Sequence, residues 1–376
     1  MKKIGLVTFF QNYNYGSVLQ CFAMQSVLEE LGCEVKELKQ TEKGLYWFVR
    51  RLFIKIAFVI SCIFYPERFI KYKRYLQESQ RSCLDISTNV RFWFDSFVSN
   101  YLHSENVSFY QMKKDDSFHL FICGSDQVWS LSAPMLNPFM FLQFASKAKR
   151  VSYAASTGTD IIPPWYKRRL KRYIDSFDYV SVREPSLIPS LKSIDCNKVQ
   201  SHLDPTLLRT SEFWIKNSSL CPAVKSKNYI VLFFLNKPSF IAIKHIKQVI
   251  KNQTMAIYAF PYQFESYHEI SDRIQKIDVS PTEFIRVFSD AELIFTDSFH
   301  GVAFSINLKK EFYVYNREYA AGTSQNARIE CVLKQFNLSS RLILDPQQDG
   351  EMIGDYSNIL EKERQRSLKY LKEVLS

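Results

Sequence analysis

The segment from Lys3 to Leu38 constrains this chain more tightly than any other. Lys3 to Phe9 is a compact apolar run, and Gly16 opens a stretch whose apolar residues Val18, Leu19, Phe22, Ala23, Val27, Leu28 and Leu31 fall at helical spacing. Gly32 closes that helix as a C-cap glycine, and Cys33 to Leu38 supplies a second short strand. Together they predict a β-α-β unit, whose natural product is a parallel sheet. Lys2-Lys3 before Ile4 to Phe10 resembles a leader only superficially, because Gln11-Asn12 ends the apolar run too soon.

The alternation continues along the chain. Phe118 to Cys123 is a strand ending at Gly124-Ser125-Asp126, and Arg150 to Ala155 ends at Ser156-Thr157-Gly158. Asp178 to Arg183 and Lys198 to Leu203 follow, separated by a helix over Glu184 to Leu191, before Asp204-Pro205 breaks the pattern. After a linker preceded by a short helix within Thr210 to Asn228, strands are expected at Tyr229 to Leu235, Met255 to Phe260, Leu293 to Thr296 and Glu311 to Tyr315. Helices are expected at Ser239 to Lys251, Pro281 to Asp290, Gly301 to Asn307 and Ser324 to Phe336. At ~150 residues per domain, 376 residues leave room for two full cores. The expected fold class is α/β, with two Rossmann-like parallel-sheet domains. Residues 1–208 form the first, with a helical aromatic-basic insertion at about 42–102; 209–228 link it to the second, 229–376, whose terminal helix near Ile353 to Leu375 braces the first.

Composition narrows the setting. Hydrophobic residues make up 46% and charged residues 23%, which excludes collagen-like, disordered and coiled-coil classes. The formal net charge of +11 favours anionic partners. No arginine-rich tract, RNP-like aromatic pattern or finger spacing marks a nucleic-acid binder, so none is expected. The eight cysteines include no CxxC pair, which suits free thiols in a reducing cytoplasm. No uncharged apolar segment reaches the ~18 residues of a membrane span. The nearest, Trp47 to Tyr65, is interrupted by Arg50, Arg51 and Lys55. Two readings of that stretch stay open: a helical pair packed on its own domain, or a face dipping into an anionic bilayer, where basic residues beside Trp, Phe and Tyr suit the headgroup region. The expected location is the cytoplasm, and the second reading adds contact with the inner face of the membrane.

In open α/β sheets the ligand crevice lies beyond the carboxyl ends of the strands, so the loops there hold the candidates. Asn14, Tyr15 and Gly16 lie in the first, Gln11 to Ser17, whose amides at a helix start can receive an anion; turn chemistry and capping are the alternative. That loop is not GxGxxG and has no Walker lysine, which argues against a dinucleotide. Ser125, Asp126 and Trp129 put a hydroxyl, a carboxylate and an aromatic face at one mouth, a combination suited to sugars; Asp126 is either a base or a helix cap. Arg183, just beyond a buried strand, either grips a substrate carboxylate or phosphate or pairs with Glu184.

The most loaded loop carries Asp297, Ser298, His300 and Gly301 at a strand end just before a helix start that favours anions, which places His300 to act as a titrating acid. The run Gly322 to Arg328 begins another helix and brings Arg328 to the same rim, with Arg317 upstream; solvated helical arginines are the alternative. The histidines at 103, 119, 202, 245, 268 and 300 are scattered, so no metal is expected, and no GxSxG elbow supports serine hydrolase chemistry.

Seven runs, taken in order, carry a resemblance. They are Gly5-Leu6-Val7-Thr8-Phe9, Asn14-Tyr15-Gly16-Ser17-Val18-Leu19-Gln20, Cys123-Gly124-Ser125-Asp126-Gln127-Val128-Trp129 and Ser152-Tyr153-Ala154-Ala155-Ser156, then Ser181-Val182-Arg183-Glu184, Leu203-Asp204-Pro205-Thr206-Leu207-Leu208 and Thr296-Asp297-Ser298-Phe299-His300-Gly301. The set resembles the polysaccharide pyruvyl transferase family over most of the chain from residue 3 to about 345. The resemblance implies a fold like that of the two-domain GT-B glycosyltransferases. It also implies transfer of the pyruvyl unit of phosphoenolpyruvate onto two hydroxyls of a sugar as a cyclic ketal, with release of phosphate.

The implied acceptor belongs to a surface or capsular polysaccharide or its lipid-linked precursor, and no cofactor is implied beyond the donor. By similarity, Arg183, His300 and Gly301 match positions that hold or activate phosphoenolpyruvate. Many members carry a basic residue two places before the histidine; this chain has Ser298, and Arg328 or Arg317 is expected to supply the charge. His300 is then the acid/base or phosphate-activating group, Asp126 and Asp297 are candidate bases, and Arg183 and Arg328 clamp the anion. Two rivals stay open: a GT-B glycosyltransferase using a nucleotide sugar, whose cleft would look much alike, and a non-catalytic polysaccharide-assembly protein, which Ser298 keeps in play.

Overall fold

A computed structural model describes every residue except 42–44, 71, 74–85, 263, 318–325, 349 and 351–352, with residues 45–51 described in backbone only. The first strands are β1 (Lys2–Val7), β2 (Cys33–Gln40), β3 (Ser104–Val107), β4 (Leu120–Cys123) and β5 (Lys149–Ser152). They pair in parallel as a five-stranded sheet of order β3-β2-β1-β4-β5. β6 (Val180–Val182) and β7 (Val199–Ser201) form a two-stranded parallel sheet, which the bridges Val151–Tyr179 and Ala155–Val182 attach to the first. The remaining strands are β8 (Tyr229–Phe233), β9 (Ala256–Ala259), β10 (Ile274–Lys276), β11 (Leu293–Thr296), β12 (Glu311–Tyr315) and β13 (Leu342–Ile343). They make a six-stranded parallel sheet of order β10-β9-β8-β11-β12-β13.

In both large sheets the chain first winds outward one way and then returns past its starting strand, giving switch points at β1/β4 and β8/β11. Loops leaving a switch point diverge to opposite faces of the sheet and open a crevice between them. The loops singled out in the sequence before Ser17, at Asp126 and at His300 leave β1, β4 and β11, so both crevices are furnished by them. Three strands, β3, β10 and β13, were not anticipated. They are short and lie at or beside sheet edges, and β3 (Ser-Glu-Asn-Val) is mostly exposed, so no apolar run announces it.

The helix Tyr15–Glu30 is buried on almost its whole circumference, because it lies between the first sheet and the helices Pro281–Asp290 and Phe299–Asn307 of the second. Tyr15 stacks on Phe284 with ring centroids 4.7 Å apart, and its hydroxyl donates to the Val279 carbonyl at 2.7 Å. A single apolar cluster therefore runs from Ile4 and Leu6 of β1 through Leu19 to Phe284 and Phe304. The stretch read as a linker contains the helix Ser211–Lys216, pinned by fully buried Trp214, whose indole N–H donates to the Thr206 carbonyl at 3.0 Å. The last helix, Ser357–Leu375, crosses back: Tyr370 donates to the Ser152 carbonyl at 3.0 Å, and Arg364 Nε to the Leu207 carbonyl at 2.7 Å.

The described residues of the insertion include the helices Leu45–Phe64 and Thr88–Tyr101, the second anchored through Val90, Phe94 and Phe97. The side chains of Trp47, Arg50 and Arg51, and the turn Gly322 to Gln325 with the helix start at Ser324, lie outside the described residues. The seven described cysteines are free, and no helix among the described residues is long and apolar enough to cross a membrane.

Glu37 of β2 is fully buried, and neither carboxylate oxygen finds a hydrogen-bond partner among the described residues. Burial pushes its pKa up to about 7 from an ordinary 4.5. The folded value exceeds the unfolded one, so this group's stabilisation is complete below about pH 4.5 and is lost as pH rises through 7. Glu37→Gln is expected to be more stable than the wild type at pH 8 by on the order of 3 kcal/mol, with the gap closing at pH 4.5. Urea unfolding at the two pH values checks this; a gap of the same size at both would place the proton elsewhere.

Candidate active site

The loops at the two switch points meet across a hollow of about 310 Å³. Asn12, Asn14, Ser17, Asp126 and Gln127 line it from the first half, and Asn236, Tyr262, Ser298, His300, Arg317 and Arg328 from the second. Asn14 caps the first helix by accepting from the Ser17 amide at 3.1 Å, which leaves the Ser17 hydroxyl to donate to Asp126 Oδ2 at 2.8 Å. Gly16 is where the halves come closest: a Cβ there would lie 2.0 Å from His300 Nδ1, so only glycine lets the imidazole lie against this helix start.

Behind His300 lies a buried ionic network centred on Asp204. Its Oδ2 accepts from Ser125 Oγ at 2.9 Å and from Arg183 Nη1 at 3.0 Å, and stands 3.7 Å from His300 Nε2. Its Oδ1 accepts from the Thr206 amide at 3.0 Å and the Thr206 hydroxyl at 2.8 Å, capping the short helix Pro205–Leu208. Burial alone would raise the Asp204 pKa, but His300, Arg183 and the Thr206 amide outweigh it and hold the carboxyl well below the usual range. Arg183 also donates to Glu184 at 2.9 Å, stands 3.8 Å from Asp126 Oδ1 and packs 3.9 Å over the Phe299 ring. Asp126 is held below the ordinary carboxylate range in the same way, its burial overcome chiefly by His300 and Arg183. His300 Nε2 and Arg183 Nη2 are buried with no hydrogen-bond partner among the described residues.

On the far wall, Asp297 accepts from the Leu235 and Asn236 amides at 2.8 and 3.0 Å and lies 3.3 Å from Arg317 Nε. That nitrogen also donates to the Asp297 carbonyl at 2.9 Å, so Arg317 is fixed at the edge of the hollow. Arg328 is buried and, with the Gln127 amide turned to accept, donates to it at 2.7 and 3.2 Å. The helix Phe299–Asn307 starts at Ser298 without a side-chain cap, and Ser298, Phe299 and His300 at its start line the hollow. Gly301 permits this start, since a Cβ there would be 2.3 Å from Thr296 Oγ1.

Of the residues expected at the site, Asn14, Asp126, Ser298, His300, Arg317 and Arg328 share the hollow, and Gly16 and Gly301 set its spacing. Five others sit elsewhere. Trp129 is a core residue, fully buried, stacked 5.1 Å from Phe141 and donating to the Met140 carbonyl. Tyr15 is spent on the interface core, and Ser125 lies behind the wall between Asp204 and the Ala154 carbonyl. Asp297 has its carboxylate occupied by two amides and Arg317, which makes it the positioner of that arginine and removes it as a base. Arg183 is likewise turned inward, its charge shared among three carboxylates, so it is not on the wall of the hollow.

Asp204 was missed as a site residue because Asp-Pro looked like a break in the chain. Its signal was the capping pattern itself, an Asp just before a proline at the first helical position following a strand. Among the described residues no cluster of three or more His, Cys, Asp or Glu side chains is arranged to hold a metal.

Breaking the network is costly. Asp204→Ala is expected to lower stability by about 3 kcal/mol near neutral pH, since it strips a partner from buried Arg183. The folded pKa of Asp204 lies below its unfolded value, so that loss shrinks as pH falls below the ordinary carboxylate range, which denaturant titrations at neutral and acid pH will read. Gly16→Ala is expected to cost about 1–3 kcal/mol through overpacking against His300, seen as a lower Tm. An unchanged Tm would mean the two halves are not held at this separation.

The family model for polysaccharide pyruvyl transferase matches residues 14–319. No curated protein matches the chain in sequence. In structure it is similar to the S. aureus MnaA–UDP complex, at 13% identity and TM-score 0.51, with 99% of this chain and 91% of that one covered. It is similar also to a glycosyltransferase from Rickettsia africae ESF-5, at 10% identity and TM-score 0.51, covering 99% and 97%. At these identities the likeness is one of fold: two Rossmann-like sheets in a GT-B-like arrangement.

Proposed function

Because this chain belongs to the polysaccharide pyruvyl transferase family, a family of transferases in polysaccharide biosynthesis, we propose that it moves the pyruvyl group of phosphoenolpyruvate onto two hydroxyls of a sugar in a surface polysaccharide or its lipid-linked precursor. The observation that carries this reading is the pairing of Arg317 and Arg328 with His300 and an uncapped helix start around one small hollow. A carboxylate and a phosphate on adjacent carbons need two cationic donors close together, and helix-start amides add to their field. The two arginines supply the charge that Ser298 does not.

In the proposed reaction His300 gives a proton to the methylene carbon of the donor, leaving an oxocarbenium-like centre at C2. One sugar hydroxyl adds to C2 and its proton replaces the one spent on carbon. The second hydroxyl then displaces phosphate, whose C2–O bond breaks as the new one forms, and its proton leaves with the phosphate. Asp126, kept ionised by His300 and Arg183 against its burial, accepts hydrogen bonds from the attacking hydroxyls. Asp204 steadies the imidazole from 3.7 Å, while Arg317 and Arg328 hold the two anionic ends of the donor.

Mass spectrometry of candidate sugars incubated with the protein and phosphoenolpyruvate tests donor and acceptor together. The expected product carries one pyruvyl ketal, with phosphate released only when sugar is present. His300→Ala should lower kcat by about 100-fold or more while the fold is kept. Turnover of a nucleotide sugar without any of phosphoenolpyruvate would overturn the proposal, and wild-type turnover by His300→Ala would remove that residue from the chemistry.

A further inference from the structure

The helix Leu45–Phe64 leaves the carboxyl edge of β2, the same edge from which the β1 and β4 loops reach the hollow. Along it Leu52, Phe53, Ile56, Val59, Ile60, Ile63 and Phe64 are 47% to 74% exposed, and Phe69 and Ile70 just beyond are 57% and 49% exposed. Between residues 52 and 64 the only charge is Lys55. A contiguous apolar face of this kind is unfavourable in water unless something covers it.

The opposite line of the helix, Ile54, Phe58 and Ser61, borders a cavity of about 450 Å³ against the helix Pro164–Ile174. That second helix carries Lys167, Arg168, Arg169, Lys171 and Arg172 and no acidic residue. Arg168, Arg169 and Arg172 join Arg68 around the cavity, with no acidic side chain among its described lining residues. Arg68 lies 4.9 Å from the Phe58 ring centre and 5.3 Å from that of Tyr166, and donates from Nη2 to the Pro134 carbonyl at 2.8 Å. Its Nε is buried without a hydrogen-bond partner among the described residues.

We propose that this face docks on an anionic phospholipid bilayer, the helix lying flat with Phe53, Ile60 and Phe64 among the acyl chains and the arginine-rimmed cavity taking a lipid phosphate at headgroup depth. Charge decides the occupant. A second copy of the chain would bring the same arginines against one another, and an apolar protein partner would leave them unanswered, whereas anionic headgroups beside acyl chains match both features at once. Insertion across the bilayer is not available to a helix carrying Arg50, Arg51 and Lys55. Because the helix and the loops of the hollow share one edge of the sheet, docking presents the hollow toward the membrane, where a lipid-borne sugar would stand. The docking itself does not depend on the transfer chemistry.

Co-sedimentation of the full-length protein with vesicles tests it, using phosphatidylglycerol mixed with phosphatidylcholine against phosphatidylcholine alone. The wild type is expected to bind the anionic vesicles about 10-fold more tightly, with the preference falling at high salt. The triple variant Arg168→Glu, Arg169→Glu, Arg172→Glu should lose that preference, and Ile60→Ser with Phe64→Ser should weaken binding even at low salt. Both variants should keep the wild-type Tm and the wild-type rate on a water-soluble acceptor, so that a failed membrane reading and a failed pyruvyl transfer reading are told apart. Equal binding to both vesicle types, or binding untouched by the triple charge reversal, would overturn the proposal. So would a self-associated dimer, seen by analytical ultracentrifugation, that the Ile60 and Phe64 changes dissolve in a protein that binds no vesicles.

Discussion

The carboxylate of Asp204 is where the two halves of this protein are tied. It is fully buried, and a buried charge is tolerated only when its partners are fixed around it. Ser125 reaches it from the end of β4, Arg183 from the end of β6, Thr206 from its own turn, and His300 from the far sheet. Each partner is carried by a different element, so their convergence fixes how the loops of one crevice stand against those of the other. Gly16 completes the arrangement by leaving no Cβ between the first helix and the imidazole.

From that tie follows the distribution of charge in the site. Arg183 faces Glu184, Asp204 and Asp126, which keeps those three carboxylates compatible with burial and turns its own charge inward. Asp297 does the reverse for Arg317, anchoring the guanidinium at the rim through its carboxylate and its carbonyl. The wall facing the hollow is left with Arg317, Arg328, His300 and one carboxylate, Asp126. A family with a basic residue two places before its histidine would bring charge to this place directly; here two arginines from later in the chain stand there.

The apolar interface beneath explains why this geometry can be held. Tyr15 packs on Phe284, Phe260 and Phe94, and Phe233 on Phe284 and Phe288, so aromatic rings from both sheets interlock beside the site. The terminal helix adds hydrogen bonds to Ser152 and Leu207 on the first-half side. A site built from loops of two sheets needs such a floor, because polar contacts alone fix orientation poorly when water can replace them.

Local signals decided a great deal. Apolar spacing from Val18 to Leu31, the glycine at position 32 and the short apolar strands depend only on neighbouring residues, so the parallel α/β plan and the loops that line the hollow could be read directly. The edge strand β3 escaped because its exposed residues leave no pattern to read. What only the tertiary structure decided is direction. Trp129 and Arg183 stand at strand ends as a site residue should, yet one points into the core and the other into a knot of carboxylates. Asp204 looked like a break in the chain and became the tie between the halves. Where a side chain turns is set by partners tens to hundreds of residues away, and the burial of charge, which demands those partners, exists only once the chain has folded.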